Sequence, residues 1–259
     1  MATRTAPTLR SRSCAPPSHL RHERLLLDDG ARTTLHVARH DPRRCAVHVV
    51  RLPTAVPLEA HCRAHGIEEA LVGGFYRRPD LCPLGELHVG GAPVRHVPFD
   101  TAVGPTRACV QVDHHHVSIG RRDRFAARPT GDLLQAGPLL VSGGAVVEGD
   151  PEGFSAGSHQ FDSDITDGRH PRAAIGVTAR GEGLAGVCDG RADDEAGLTM
   201  GELAGVMADL GAVEAMNLDG GGSASLVCGG RLRNVPRRAH GQDLPGGRAV
   251  PTAIVFLPR

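Results

Sequence analysis

An acidic residue, three glycines and a serine follow one another in Asp219-Gly220-Gly221-Gly222-Ser223, the run with the clearest potential for chemistry. This glycine turn, residues 219–223, lies between two apolar stretches, 213–216 and 224–227, which favour strands. Glycine loses more backbone entropy on folding than any other residue, so three in succession indicate a close backbone approach to another group. That group could be a substrate. The alternative is a tight turn without chemistry, in which Asp219 accepts hydrogen bonds from the glycine amides.

Polar or glycine-rich residues end three more predicted strands, at Gly73-Gly74, at His170 with Arg172, and at Asp189 with Arg191. Glycine N–H groups and converging guanidinium groups suit an anionic oxygen such as that of a phosphate. Carboxylates beside them suit acid–base or nucleophilic work at an acetal carbon. For Arg172 an ordinary salt bridge is the alternative interpretation.

Several other kinds of site find no support in the sequence. The chain has no Lys, which excludes Schiff-base chemistry and a Walker-type phosphate site. Its seven Cys are scattered without a C-x-x-C pair, which argues against a disulfide framework and a structural zinc site. Three consecutive histidines, residues 114–116, resemble a metal cluster. However, His114 and His116 alone would share a face of a strand, so a solvated turn is favoured and no metal site is predicted.

Composition limits the partners that we expect. Basic and acidic residues balance at 29 each, so neither nucleic acid nor an anionic membrane is a predicted partner. The first thirty residues are polar and Arg-rich, and no apolar run approaches the ~20 residues of a membrane span. A cytoplasmic location is therefore expected. Residues 1–20, with three prolines, are predicted to form a disordered arm.

The patterns that must position these residues are mostly short strands. Strands are predicted at 34–38, 45–50, 70–72, 108–112, 116–119, 173–177, 184–188 and 252–256, with hairpins at 86–97 and 139–147. A short helix is predicted at 58–65, and a longer one begins at the capping box of Thr199 and Glu202 and ends at Gly211. We therefore predict one α+β domain over residues 21–259, with a twisted, mostly antiparallel or mixed sheet core and a few flanking helices.

The order of these motifs resembles the phosphodiester glycosidase domain family, over roughly residues 30–257. The resemblance is carried by the glycine turn with Asn217 and Leu218 before it, together with six other stretches. These are Val72-Gly73-Gly74-Phe75-Tyr76, Gln135-Ala136-Gly137-Pro138-Leu139-Leu140-Val141, His170-Pro171-Arg172-Ala173-Ala174-Ile175-Gly176, Asp189-Gly190-Arg191, Thr199-Met200-Gly201-Glu202-Leu203 and Arg248-Ala249-Val250-Pro251-Thr252-Ala253-Ile254.

The resemblance implies a glycosidase-type hydrolase that cleaves the glycosidic bond of a sugar 1-phosphodiester. The partner would be a small molecule or glycan carrying that phosphodiester, and no cofactor would be required. Whether a divalent cation binds near Asp189 and Asp219 is left open. The implied catalytic residues are Asp219, Asp189 and Arg172. The implied substrate-binding residues are Gly73, Gly74, His170, Arg191, Asn217, Gly220, Gly221, Gly222, Ser223 and Arg248.

Two departures from the family pattern favour a different function. Val72 stands where the family usually has Asn, and Ala173 stands where it usually has Thr. The loss of these polar groups favours a protein that binds a glycan or sugar phosphate without cleaving it. A third hypothesis is a hydrolase or lyase that acts on an unphosphorylated polysaccharide.

Overall fold

The computed structural model describes residues 20–101, 103–114, 116–147 and 168–259. The predicted arm lies outside them except for Leu20, which packs against the core. Residues 148–167, which are rich in Gly, Ser and Asp, also lie outside the described residues.

The largest sheet has seven antiparallel strands in the order β1-β2-β15-β14-β16-β12-β13. Its strands are β1 (Arg21–Leu26), β2 (Arg32–His40), β12 (Leu139–Ser142), β13 (Ala145–Val146), β14 (Arg172–Thr178), β15 (Gly183–Cys188) and β16 (Ala212–Asn217). The central strand β14 pairs Arg172 with Cys188 on one side and Ala174 with Asn217 on the other. The ends of β14, β15 and β16 therefore meet at one edge of the sheet.

Two five-stranded antiparallel sheets complete the structure, in the orders β18-β17-β4-β19-β3 and β10-β9-β11-β7-β8. The first contains β3 (Cys45–Pro57), β4 (Ala70–Val72), β17 (Leu226–Cys228), β18 (Arg231–Leu232) and β19 (Ala249–Pro258). The second contains β7 (Leu87–Val89), β8 (Ala92–Pro93), β9 (Ala108–Asp113), β10 (His116–Arg121) and β11 (Asp132–Gln135). A small hairpin joins β5 (Tyr76–Arg77) to β6 (Cys82–Pro83).

Side chains from all three large sheets form one apolar core. Within the seven-stranded sheet, Ala173 and Ile175 of β14 face this core. Ala174, which alternates with them, faces a second cluster beneath helix α2 (Met200–Asp209). The seven-stranded sheet is therefore a middle layer, with α2 on one face and the two five-stranded sheets on the other.

Both predicted helices are confirmed. Helix α1 (Leu58–His65) ends at Gly66, which adopts the left-handed conformation that favours glycine. Helix α2 begins at Thr199, whose side chain accepts from the Glu202 N–H while Glu202 accepts from the Thr199 N–H. Glu202 also accepts hydrogen bonds from Arg169, so its observed contacts are those of a helix cap and an ion pair.

The predicted fold class needs one correction. The sheets are antiparallel as predicted, but two helices of eight and ten residues are too few for the α+β class, and the described chain is a β-rich domain. Strand β1 was not predicted, because its sequence is charged and five of its six residues are exposed. The hairpin predicted at 86–97 is shorter, since its second strand ends at Pro93.

Candidate functional site

Backbone contacts fix the glycine turn at the end of β16. Leu218 N–H donates to Ala173 O at 2.8 Å, and Asp219 N–H donates to Gly73 O at 3.1 Å. A Cβ on Gly220 would lie 2.8 Å from Pro171 O, so a larger residue does not fit. Gly221 adopts a φ of 60°, the region that glycine populates without strain. The close approach inferred from the three glycines is therefore confirmed, and it joins β14, β16 and the end of β4.

The Asp219 side chain is partly buried at this junction. Its Oδ1 accepts from the Gly220 N–H at 2.9 Å, whereas Oδ2 is buried without a hydrogen-bond partner among the described residues. Burial raises the pKa of Asp219 to about 6, against smaller opposing effects of the nearby Ser223 hydroxyl, the Gly220 N–H and two arginines, Arg248 and Arg78. A carboxyl with this pKa changes protonation near neutral pH, as acid–base and nucleophilic catalysts do.

Two guanidinium groups flank the glycines. A Cβ on Gly221 would lie 3.1 Å from Arg191 Nη1 and Nη2, and one on Gly222 would lie 3.3 Å from Arg248 Nη2. Burial and the charge of Arg248 lower the pKa of Arg191. Neither arginine forms an ion pair with a carboxylate of the described residues. Two neighbouring cations without a carboxylate between them form a favourable site for an anion.

Tyr76 belongs to the same group, although sequence reasoning did not select it as a site residue. Its hydroxyl lies 3.4 Å from Ser223 Oγ. Burial and the neighbouring Asp219 charge raise the pKa of Tyr76, while hydrogen bonds with Ser223 and Arg248 oppose that rise. The available signal was its position directly after Gly73-Gly74-Phe75.

Three other predicted site residues have structural contacts here. A Cβ on Gly73 would lie 2.4 Å from Thr252 Oγ1, and Gly74 N–H donates to the same oxygen at 3.1 Å. Asn217 is buried, and its side chain donates to Leu218 O and Gly137 O. These residues hold β4, β16 and β19 together beneath the turn, and a direct contact with substrate stays a prediction for each of them.

The carboxyl of Asp189 is hydrogen-bonded to other parts of the protein. Its Oδ2 lies 2.8 Å from His36 Nε2, and its Oδ1 accepts from the Val235 N–H at 2.7 Å. Both oxygens of this buried carboxyl therefore have protein partners. The segment that Val235 begins also contains Arg237, whose carbonyl accepts from Arg191 Nη1. Asp189 thus helps to hold the chain behind Arg191.

Arg172 faces the helix side of the sheet, as Ala174 does two residues later. Its Nε donates to Leu198 O at 3.0 Å and its Nη2 to Gly168 O at 3.1 Å, and burial lowers the pKa of Arg172 to about 10. The backbone of His170 pairs with Leu198. Both residues therefore contact other protein groups near the start of β14. Their contact with substrate stays a prediction.

The two departures from the family pattern are core positions in this chain. Val72 and Ala173 are fully buried, and both belong to the apolar core shared by the three sheets. Neither side chain is part of the group formed by Asp219, Ser223, Tyr76 and the two arginines.

Within the described residues, no three His, Cys, Asp or Glu side chains are grouped so that they could hold a metal ion. This statement includes Asp113, His114 and His116, and also the surroundings of Asp189 and Asp219. A search of the described helices for one long and apolar enough to cross a membrane found none.

Comparisons with known proteins give family and fold. No curated protein matched the sequence. The catalytic domain of zebrafish N-acetylglucosamine-1-phosphodiester alpha-N-acetylglucosaminidase, solved in a form auto-inhibited by its pro-peptide, is similar with a TM-score of 0.70 and 22% identity, over 95% of this chain and 85% of that one.

Two further solved structures are similar. A hypothetical protein from Synechocystis has a TM-score of 0.62 and 19% identity, over 96% of this chain and 65% of that one. A protein of Burkholderia pseudomallei K96243, whose description suggests export, has a TM-score of 0.61 and 18% identity, over 88% and 74%. The phosphodiester glycosidase family model matches residues 65–257, well over half of the sequence. The chain therefore belongs to the phosphodiester glycosidase family.

Proposed function

We propose that this protein hydrolyses the glycosidic bond of a sugar 1-phosphodiester, in the site formed by Asp219, Arg191 and Arg248. The observation that carries the proposal is the pair of guanidinium groups beside the glycines, without a carboxylate partner among the described residues and next to a partly buried acid. The anion suited to this pair is the phosphodiester. The carboxyl beside it would act on the adjacent sugar carbon.

The two arginines and Asp219 would have different roles in the reaction. Arg191 and Arg248 would bind the non-bridging phosphate oxygens and stabilise the charge that develops as the phosphate departs. A phosphate monoester is a good leaving group without a proton, so an acid on that side is less important than charge stabilisation. Asp219, with a pKa of about 6, is mostly ionised at neutral pH and would act at the anomeric carbon.

Asp219 is a better candidate than Asp189 for the reacting carboxyl. One oxygen of Asp219 is unpaired among the described residues, whereas both oxygens of Asp189 are bonded to His36 and Val235. We therefore assign Asp189 a positioning role, through the chain segment that supports Arg191.

The name of the zebrafish relative supports the choice of substrate class. That enzyme is named for a sugar 1-phosphodiester, and family membership brings the same class of reaction to this chain as a proposal. The rival hypothesis of binding without turnover rested on Val72 and Ala173. Because both are core residues here, they no longer favour it.

The test is a substrate panel with matched arginine variants. The wild-type protein should release sugar from sugar 1-phosphodiesters and should act weakly on glycosides without phosphate. Arg191→Gln and Arg248→Gln should each lower kcat/KM by about tenfold to a hundredfold, which corresponds to the loss of a charge-assisted hydrogen bond. Arg231→Gln, at an exposed arginine of β18, is the matched control.

Two outcomes would contradict the proposal. Calorimetric binding of a sugar phosphodiester without product over long incubation would favour a binding protein. Equal turnover of unphosphorylated glycosides, insensitive to the loss of Arg191 and Arg248, would favour a polysaccharide-degrading enzyme.

A further inference from the structure

The hydroxyls of Ser223 and Tyr76 lie near the Asp219 carboxyl. Tyr76 Oη is 3.4 Å from Ser223 Oγ, and the Ser223 hydroxyl is close enough to Asp219 to favour its ionised form. Asp219 Oδ2 itself is buried without a hydrogen-bond partner among the described residues. A buried unpaired carboxylate oxygen is costly, and in native proteins such a group usually has a water or ligand partner.

These groups supply the polar partners that a bound water needs. A water in a polar site needs two to four partners, and here one carboxylate oxygen and two hydroxyls are available. The hydroxyls can each donate or accept, whereas an ionised carboxylate accepts only. A water that donates to Asp219 and to one hydroxyl, and accepts from the other hydroxyl, would keep one lone pair free for attack.

We propose that Asp219, Ser223 and Tyr76 bind the water that attacks the anomeric carbon, and that Tyr76 is a catalytic residue. This inference rests on the proposed function. In the step, a water proton passes to Asp219 Oδ2 while the water oxygen forms a bond to the anomeric carbon. The bond from that carbon to the phosphate oxygen breaks, and its electron pair leaves with the phosphate monoester. Asp219 then releases its proton to solvent.

The stereochemical consequence is inversion. Because water attacks directly, opposite the departing phosphate, the sugar should appear first with the opposite anomeric configuration. A covalent intermediate on Asp219 would instead give retention. The anomer formed first, observed by NMR, therefore distinguishes a water-binding role for this group from a nucleophilic role for Asp219.

The positioning of water also predicts a kinetic pattern. Tyr76→Phe and Ser223→Ala should each lower kcat by about tenfold to a hundredfold, the effect expected when a reacting group is misplaced by about 1 Å. KM should change by no more than about twofold, because Arg191 and Arg248 still bind the phosphodiester. Ser225→Ala, at another buried serine two residues along the chain, is the matched control and should retain wild-type turnover.

The chain offers a readout that needs no substrate. It contains one Tyr and no Trp, so its intrinsic fluorescence reports on Tyr76. A nearby carboxylate quenches tyrosine emission, so the emission should fall as Asp219 ionises, with a midpoint near pH 6. Asp219→Asn should abolish this transition. Arg248 and Arg78 are the other charged groups near Asp219.

The experiment combines fluorescence titration of the wild type and D219N with turnover and anomer analysis of the wild type, Y76F, S223A and S225A. Folding of each variant is checked by circular dichroism. An inverted product, low kcat in Y76F and S223A, and the transition near pH 6 would support the proposal. A retained configuration, near-normal kcat in Y76F, or emission that does not respond to pH would overturn it. If the wild type turns over no sugar phosphodiester, the proposed function fails, and the titration still shows whether Tyr76 and Asp219 form one group.

Discussion

At the scale of single residues, the burial of Asp219 determines how activity should depend on pH. The group acts in its ionised form, and its pKa is raised to about 6. We predict that kcat/KM is constant above about pH 7 and falls as the pH drops through about 6, tenfold per unit below it. The pH profile on a sugar phosphodiester is the measurement. An acidic limb centred near pH 4, the ordinary value for a carboxyl, would contradict this assignment.

The raised pKa of Asp219 also means that its ionised form destabilises the folded protein near neutral pH. Its folded-state pKa of about 6 exceeds its ordinary value of 3.8, so the fold is favoured below 3.8 and loses that stability as the pH rises through 6. Asp219→Asn, which still offers an acceptor to Gly220, should therefore be more stable than the wild type by about 1–3 kcal/mol near neutral pH. Chemical denaturation at several pH values measures this. A gain that did not shrink toward about pH 4 would contradict the explanation.

The sequence allowed prediction of some site residues because their motif is local. Asp219, the glycines and Ser223 adjoin one another, so their role in a close backbone approach was visible from residue types alone. The partnership of Asp189 with His36, and that of Tyr76 with Ser223, join residues 153 and 147 positions apart. No periodicity or spacing encodes contacts of that range, and this is why neither the Tyr76–Ser223 contact nor the Asp189–His36 pair was predicted.

At the scale of elements, glycines with different surroundings should respond in opposite ways. An added Cβ at Gly220 meets Pro171 O at 2.8 Å, whereas one at Gly205, inside helix α2, meets no atom within 4 Å. Gly220→Ala should therefore destabilise the protein by about 1–3 kcal/mol, while Gly205→Ala should stabilise it by about 0.5–1 kcal/mol. Thermal unfolding of the pair measures both. Equal effects would contradict the close packing at Gly220.

Helix α2 and the hairpins show which elements local sequence can predict. The capping box of Thr199 and Glu202 and the turn at Gly143-Gly144 place their elements within a residue or two. Strand β1 lacks such a signal, because its exposed edge position permits polar and charged residues at its first four positions. It forms because β2 supplies hydrogen-bond partners, which is a tertiary effect.

At the scale of the whole molecule, the sequence predicted antiparallel strands but not their division into three sheets. Strand β2 pairs with β15, and β3 pairs with β19, across most of the chain length. Alternating apolar residues indicate which side of a strand is buried, but they do not specify which strand lies beside it. The class was predicted as α+β because the two helix signals were given too much weight. The dominance of sheet depends on strand pairings that the sequence does not specify.

A ring contact between two sheets predicts how the free energy of unfolding changes at acidic pH. His40 of β2 stacks on Phe256 of β19 with ring centroids 3.7 Å apart, and burial lowers the pKa of His40 to about 4. The unfolded chain therefore binds a proton below about pH 6.5 that the folded chain does not bind until about pH 4. This term should reduce the free energy of unfolding by up to about 3 kcal/mol across that interval.

His40→Leu isolates the effect. Its free energy of unfolding should fall less steeply than that of the wild type between about pH 6.5 and 4, whatever the absolute stability of the variant. Urea denaturation at a series of pH values gives both slopes, and the variant retains every other titratable group. Parallel slopes would show that His40 is not buried in its neutral form.

The most direct test of the proposed reaction is the position at which the bond breaks. A sugar 1-phosphodiester hydrolysed in water enriched with heavy oxygen will carry the label on one product. Attack at the anomeric carbon, as Asp219 and the arginine pair imply, places the label on the sugar hydroxyl and leaves the phosphate monoester unlabelled. Label in the phosphate, detected by phosphorus NMR or mass spectrometry, would mean attack at phosphorus and would contradict a glycosidase.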